Sequence, residues 1–423
     1  MGLGCIMQKQ VVKGVMILVL EAFYIVFMLR TGIGQLAALP GLGSAGQEKV
    51  WNEAKQVYEY TAGDNSLLIL LYGIVTLFVT GGFILLWVIQ LRQAYALQIS
   101  LEEGIHVKTL SEDIESLLNS NLHLTLMSLP MLGILVFSII PLAYMISMAF
   151  TSYSKEGDHL ILFDWIGFKN FGRVLNLGGS IGRQFWSVLA WTIVWAIVAT
   201  VLNYILGMML AMLINRKETK AKAFWRFCFV LSVAVPQFVS LLIMRTMLQQ
   251  QGAVNVILQN MGWIDSPLPF FQNAMWARIT VIIVNLWVGI PYTILQITGI
   301  LQNIPGELYE AAKMDGAGPA TIFWKITLPY MLFVTAPYLI TQFTGNINNF
   351  NVIYLLTKGD PTSVGDTAGK TDLLVTWLYK LTVDQQYFNI GAVIGILTFV
   401  VLAIVALVTY RNSASYKNEE AFM

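Results

Sequence analysis

Charge is what this sequence has least of. Only 12% of its 423 residues are Asp, Glu, Lys or Arg, against 57% hydrophobic, and the formal net charge is +1. A water-soluble domain carries about a quarter charged residues, so this scarcity excludes a soluble globular fold. It equally excludes a polyelectrolyte surface for nucleic acid, whose binding depends on many phosphate-neutralising cations. Cysteine is nearly absent: Cys5 and Cys228 lie far apart, Cys228 inside an apolar run, and no disulfide is expected. The three histidines, His106, His123 and His159, have no metal-ligand spacing. No Ser/His/Asp or Cys/His constellation and no paired carboxylate offers a catalytic centre, so an enzyme is not expected. Glycine and proline show no period that would mark collagen or low complexity. Leu3-Gly4-Cys5 imitates a lipoprotein cleavage site but lacks the preceding charged and apolar segments, and Ile6 stands where N-myristoylation wants Ser or Thr.

What is present is long apolar runs. A spanning helix needs roughly 20 mostly apolar residues to cross about 30 Å of hydrocarbon. By that ruler eight spans fall near 11–30, 67–91, 124–150, 184–214, 222–249, 274–301, 327–356 and 388–410. The expected fold class is an all-α membrane protein, a polytopic bundle of about eight transmembrane helices. Lys and Arg divide almost evenly between the two sides, so orientation rests on one compact cluster, Arg216-Lys217-Glu218-Thr219-Lys220-Ala221-Lys222, wedged between two spans. Short basic loops prefer the cytoplasm, which puts both termini inside. Loops 31–66 and 151–183 are then external and 92–123 internal, with Ser111 expected to cap a helix through Glu112-Asp113-Ile114-Glu115. The division expected is an N-terminal region 1–123 with two peripheral spans and a cytoplasmic linker, a six-helix core over 124–412, and a cytoplasmic tail 413–423.

Gly365-Asp366-Thr367-Ala368-Gly369-Lys370-Thr371 resembles a phosphate-binding loop, but it has three residues between its glycines where the motif needs four, and no preceding strand. It reads as a flexible external loop, and no nucleotide is expected on this chain. Among the few charges in apolar stretches, Arg245 and Arg278 are expected to snorkel. Glu21 has no basic partner on its helix and is expected to make a helix contact or to carry a proton.

The most informative stretch is 304–329, Ile-Pro-Gly-Glu-Leu-Tyr-Glu-Ala-Ala-Lys-Met-Asp-Gly-Ala-Gly-Pro-Ala-Thr-Ile-Phe-Trp-Lys-Ile-Thr-Leu-Pro. It reads as a helix opened by Pro305, stopped at Gly316 and Gly318, restarted after Pro319 and closed by Leu328-Pro329. Ala311 and Ala312 thin one face while Glu310 and Asp315 flank it, a small knob able to enter a partner's cleft. The order Glu-Ala-Ala, Asp-Gly-Ala, Ile-x-Leu-Pro resembles the coupling motif of binding-protein-dependent ABC importer permeases. Gln342-Phe343-Thr344-Gly345-Asn346-Ile347-Asn348-Asn349-Phe350, Thr371-Asp372-Leu373-Leu374-Val375 and Asn285-Leu286-Trp287-Val288-Gly289-Ile290-Pro291-Tyr292 look like its maltose/maltodextrin-type subfamily. So do Pro141-Leu142-Ala143-Tyr144, Phe150-Thr151-Ser152-Tyr153 and Gly167-Phe168-Lys169-Asn170-Phe171, and the likeness runs over 125–412.

That resemblance implies the type I ABC importer permease fold. It implies that Glu310, Ala311, Ala312, Asp315 and Gly316 dock on an ATPase. It further implies a second homologous permease, a homodimer of ATP-binding subunits holding ATP and Mg, an extracellular sugar-binding protein and an oligosaccharide cargo, with the whole in the cell membrane and no cofactor on this chain. The sequence departs from the subfamily's enteric member in a short loop after the third span, and in Val233, Gln237 and Gln342 where a Tyr and two Ser contact sugar there.

The residues themselves support a sugar path. A sugar asks for aromatic faces and for amides or hydroxyls turned away from lipid. Asn285, Gly289 and Tyr292 recur at i, i+4, i+7, and Gln342, Asn346 and Asn349 repeat that spacing. Interhelical hydrogen bonding explains such amides equally well; the resemblance favours substrate contact for Asn285, Gly289, Tyr292, Gln342 and Asn346. Maltodextrin is the cargo the subfamily implies, with galacto-oligosaccharides or other plant-derived oligosaccharides as the alternative. An ion-coupled secondary transporter would need intramembrane carboxylates or discontinuous helices, and the core spans are poor in acid.

Overall fold

In a computed structural model the apolar runs form long helices. Residues 8–9, 47–48, 54, 61–62, 105–108, 217, 303 and 413–423 lie outside those described, and with them Lys217 of the basic cluster, His106 and the expected tail. Among the described residues, seven helices are long and apolar enough to cross a membrane: Val11–Ala38, Ser66–Glu102, Leu122–Met148, Ser180–Asn215, Ala274–Leu301, Pro319–Leu356 and Phe388–Arg411. A further apolar pair, Lys222–Ala234 and Gln237–Met247, is bent by 88° and brings the number to eight if the two halves make one span. The straight span expected over 222–249 is therefore broken. Val235, extended at φ −74° and ψ 127°, precedes Pro236, whose ring disfavours the helical region for the residue before it.

The helices are not uniform. Phe323–Thr327 forms a π-helical turn in which the Leu328 N–H reaches back to the Phe323 carbonyl. The widened turn relieves the clash that the Pro329 ring would make with the carbonyl four residues back. The helix thus runs through Leu328-Pro329, where the sequence suggested it closes. A second correction concerns the helix Leu110–Leu118. Its cap is Thr109, whose Oγ1 accepts from Glu112 N while the Glu112 carboxylate accepts from Thr109 N at 2.6 Å. Thr-x-x-Glu is a capping box, legible in the sequence and two residues earlier than Ser111 suggests. Strands Lys49–Asn52 and Val57–Tyr60 pair antiparallel in the loop after the first span.

The chain divides into two units. The first, Met1–Asn170 with Tyr387–Ala392, packs Leu42, Leu70, Ile74, Tyr153 and Phe163 together, with Phe388 stacked 4.7 Å from Tyr153. Lys13 reaches Asp113 at 2.9 Å. Glu21 does have a cationic partner, the α-amino group of Met1.

The second unit holds Phe171–Gln386 and the chain from Val393 onward. Its centre is the Ser180–Asn215 helix packed along Ala274–Leu301. Trp195, Ala196, Ala199, Val281 and Val284 form one buried cluster, and Tyr204, Met208, Ala211, Ile294 and Ile297 a second. Close approach depends on small residues: a Cβ on Gly207 would sit 2.5 Å from the Thr293 side chain.

Candidate functional site

Amides and hydroxyls collect along the inner faces of the second unit's spans. Asn285 is buried and its Oδ1 accepts from Asn349 Nδ2 at 3.2 Å. One turn on, Gly289 faces Asn203, whose amide atoms would lie 2.6 Å from a Cβ at that position. Asn346 is buried; its Nδ2 donates to Thr200 Oγ1 at 3.0 Å and its carbonyl accepts from Trp195 Nε1 at 3.0 Å. The seam continues with Tyr204 and Thr335, 2.8 Å apart. Two atoms in it, Asn203 Oδ1 and Asn285 Nδ2, are buried with no hydrogen-bond partner among the described residues. An unpaired buried amide costs about 1–3 kcal/mol, so this seam can take a hydroxyl-bearing guest or water.

The two triplets read from helical spacing do not behave alike. Asn285, Gly289 and Tyr292 share one helix, yet Tyr292 is 49% exposed while Asn285 is buried. The second triplet is split. The helix Leu328–Ile347 ends before Asn349, which instead caps the next helix, Phe350–Leu356, by accepting from Val352 N. Gln342 is exposed, whereas Asn346 is committed to the bond with Thr200. The sequence reading also missed two polar residues, Asn351 and Asn203. Asn351 donates to Gln237 at 3.4 Å, bringing the break at Pro236 beside the break at Asn348-Asn349, and Asn203 sits opposite Gly289. Asn203 had a signal, an amide within a long apolar run; the pairing of two helix breaks had none.

The 304–329 stretch forms the helix Gly306–Met314, closed as a Schellman motif. Ala317 N donates to Ala312 O and Gly316 N to Lys313 O, with Gly316 left-handed at φ +76°. Glu310, Ala311, Asp315 and Gly316 are exposed and Ala312 is half-buried. The helix is pinned from beneath by Tyr309, 3.2 Å from Thr327 in the π turn, and by buried Ile304. It lies at the same end of the bundle as the basic 216–222 loop, since Asn215 Nδ2 bonds Thr298 at 3.3 Å.

The opposite end holds the Gly-Thr loop. Far from being flexible, it is tied down: Gln184 Oε1 accepts from Thr367 N and Ala368 N at 2.7 and 2.8 Å, and Asp372 accepts from Gly369 N at 2.7 Å. The backbone donors that a phosphate would need are thereby occupied. Burial pushes the Asp372 carboxyl upward, a shift that Lys380 at 2.6 Å opposes. Arg278 reaches towards the same loop. Its Nε donates to Lys370 O at 2.8 Å, and its guanidinium lies 4.4 Å over the Trp191 ring.

Residues 203–415 match the family described as binding-protein-dependent transport system inner membrane component. The galactooligosaccharides transport system permease protein GanP of Bacillus subtilis is 36% identical over 99% of this chain and 96% of its own length. The maltodextrin transport system permease protein MdxF of the same organism is 35% identical over 99% and 95%. The maltose/maltodextrin permease MalF of Escherichia coli K12 is 38% identical over 58% of this chain and 48% of its own. A bacterial ABC transporter that imports the acidic polysaccharide alginate shares the fold, with a TM-score of 0.58 at 22% identity over 70% of this chain and 96% of that one.

Proposed function

The chain belongs to the family of binding-protein-dependent transport system inner membrane components, and from that premise we propose that it carries maltodextrin, or else galacto-oligosaccharide, along the polar seam of its second unit. It is a multi-pass inner-membrane permease of an ABC importer for oligosaccharides. It has no catalytic activity and no cofactor; ATP hydrolysis belongs to a partner ATPase, and the importer works with a binding protein. The finer assembly proposed is this permease with a homologous second one, a homodimer of ATP-binding subunits bearing ATP and Mg, and a sugar-binding protein outside. Both termini then face the cytoplasm, and 124–412 acts as the transporting core.

Closure of the ATPase dimer would push on Glu310, Ala311, Ala312, Asp315 and Gly316. Tyr309 and the π turn pass that push to the 319–347 helix, which carries Asn346 against Thr200. The cavity between the two permeases opens outward, receives sugar, and turns inward after hydrolysis. Asn285 and Gly289 line the path, with Asn203 opposite; Tyr292 and Gln342, exposed on this chain alone, complete it from the face turned to the second permease. The supporting observation is the pair of unpartnered amide atoms on Asn203 and Asn285. A galacto-oligosaccharide cargo is favoured by the 36% identity to GanP, maltodextrin by the 35% identity to MdxF.

The test is accumulation of labelled maltodextrin and labelled galacto-oligosaccharide by cells carrying the intact importer. The cargo competes with the other sugar at low concentration, and Asn285→Ala raises its half-saturating concentration by about tenfold, as expected from the loss of a buried hydrogen bond. Uptake of neither sugar, or an Asn285→Ala importer indistinguishable from wild type, would remove the proposed path.

A further inference from the structure

At the end of the bundle away from Glu310, the start of the 180–215 helix, the start of the 274–301 helix and the 366–372 loop enclose a polar cavity of about 260 Å³. The transport path makes no use of it. Its wall is built: Gln184 accepts three hydrogen bonds from Thr367 and Ala368, and fully buried Asp372 clamps Gly369, Thr376 and Lys380. A Cβ on Gly369 would come within 1.9 Å of the Gly359 carbonyl, so the loop closes on itself without slack.

The charges in the cavity do not balance. It is lined by Arg183, Arg278, Lys370, Asp366 and Asp372. Asp372 is paired with Lys380 at 2.6 Å and Asp366 with Lys370 at 3.5 Å. Neither Arg183 nor Arg278 has a carboxylate within ion-pair distance among the described residues. Arg183 is exposed at the rim; half-buried Arg278 spends its Nε on Lys370 O and its face on Trp191. Two guanidinium groups are left to serve an anion from outside, and their planar fork matches a carboxylate, the anion that a protein surface supplies. A neutral sugar fits less well, because the aromatic face it would stack on is covered by Arg278.

We infer that this cavity is a docking socket for an acidic side chain, an Asp or Glu on the surface of the binding protein that delivers the cargo. The inference rests on the importer reading, since only an importer receives a protein at this end. It lies about 35 Å from the coupling segment by the rise of the 274–301 helix from Arg278 to Leu301. Binding energy here can therefore reach the ATPase only through the spans.

The test uses the complete importer in proteoliposomes, its ATPase titrated with its own sugar-loaded binding protein. Arg183→Glu should raise the half-saturating binding-protein concentration by about tenfold or more and leave the maximal stimulated rate intact. It should also flatten the salt dependence, while Arg183→Lys, which keeps the charge but loses the planar fork, costs less than Arg183→Glu and leaves the salt dependence in place. Unchanged half-saturation and salt dependence in Arg183→Glu overturns the socket. So does a change confined to uptake of carboxylated saccharides, which would make the cavity a sugar-acid site. Failure of the binding protein to stimulate even the wild-type importer overturns the importer reading instead, a result distinct from both.

Discussion

Gly289 holds open the space that Asn203 fills. A methyl group there would press to within 2.6 Å of the amide, and no flexible stem lets a short Asn side chain withdraw. Gly289→Ala should therefore cut uptake by about tenfold, the cost of displacing one buried hydrogen-bonding group, with membrane expression unchanged on an immunoblot. Two carboxylates outside the spans give opposite pH behaviour. The Asp64 carboxyl is held below its ordinary range by the Ala45 and Ser44 N–H groups, so the order it brings to residues 44–45 is present at neutral pH and lost as pH falls through its lowered pKa. Asp372 is raised by burial. Its contribution is fullest below the unfolded value and declines as pH rises through the folded one, so acidification leaves the 366–372 loop as firmly held or firmer. Amide exchange protection should drop at Ser44 and Ala45 in acid and persist at Gly369; loss at both sites together would contradict the assignment.

At the scale of the element, prolines and glycines set the joints. Pro236 and the Asn348-Asn349 break interrupt two spans side by side, and Gln237 and Asn351 meet across the gap. Discontinuous helices in a membrane are tolerated where the freed backbone lies in protein or a wet cavity. In the 304–329 segment Gly316 adopts φ +76° with nothing near its missing Cβ, while Gly318 has φ −74°. Gly316→Ala thus costs about 1–2 kcal/mol of backbone strain, loosening the end of the 306–314 helix, and Gly318→Ala costs much less. The expected outcome is a higher number of ATP molecules hydrolysed per sugar moved for Gly316→Ala and wild-type stoichiometry for Gly318→Ala. Equal stoichiometry in the two would show that the Schellman turn plays no part in coupling. Of this element the sequence disclosed both the stop at Gly316 and the small face of Ala311 and Ala312. It misled at Leu328-Pro329, because a proline reads as a helix end until a π turn several residues earlier makes room for it.

For the whole molecule the outstanding matter is sidedness. Val364 and Met314 project from opposite ends of the second unit, each almost fully exposed. In a chain whose exposed Cys228 is replaced by Ser, Val364→Cys should react with an impermeant maleimide added to intact cells, and Met314→Cys only after lysis. The reverse pattern would invert the topology and place the basic 216–222 loop outside. By itself the sequence determined that this chain is a polytopic helical membrane protein, roughly where its long apolar helices fall, and that the 306–314 helix stops at Gly316. Those follow from composition, run length and local turn chemistry, which act between residues near in the chain. Only the tertiary structure decided that Asn346 spends its amide on Thr200, that Asn203 stands against Gly289, and that Arg278 lies over Trp191. In each case the partner is separated by many tens of residues, and which amide or guanidinium is left free for a guest depends on how the helices pack.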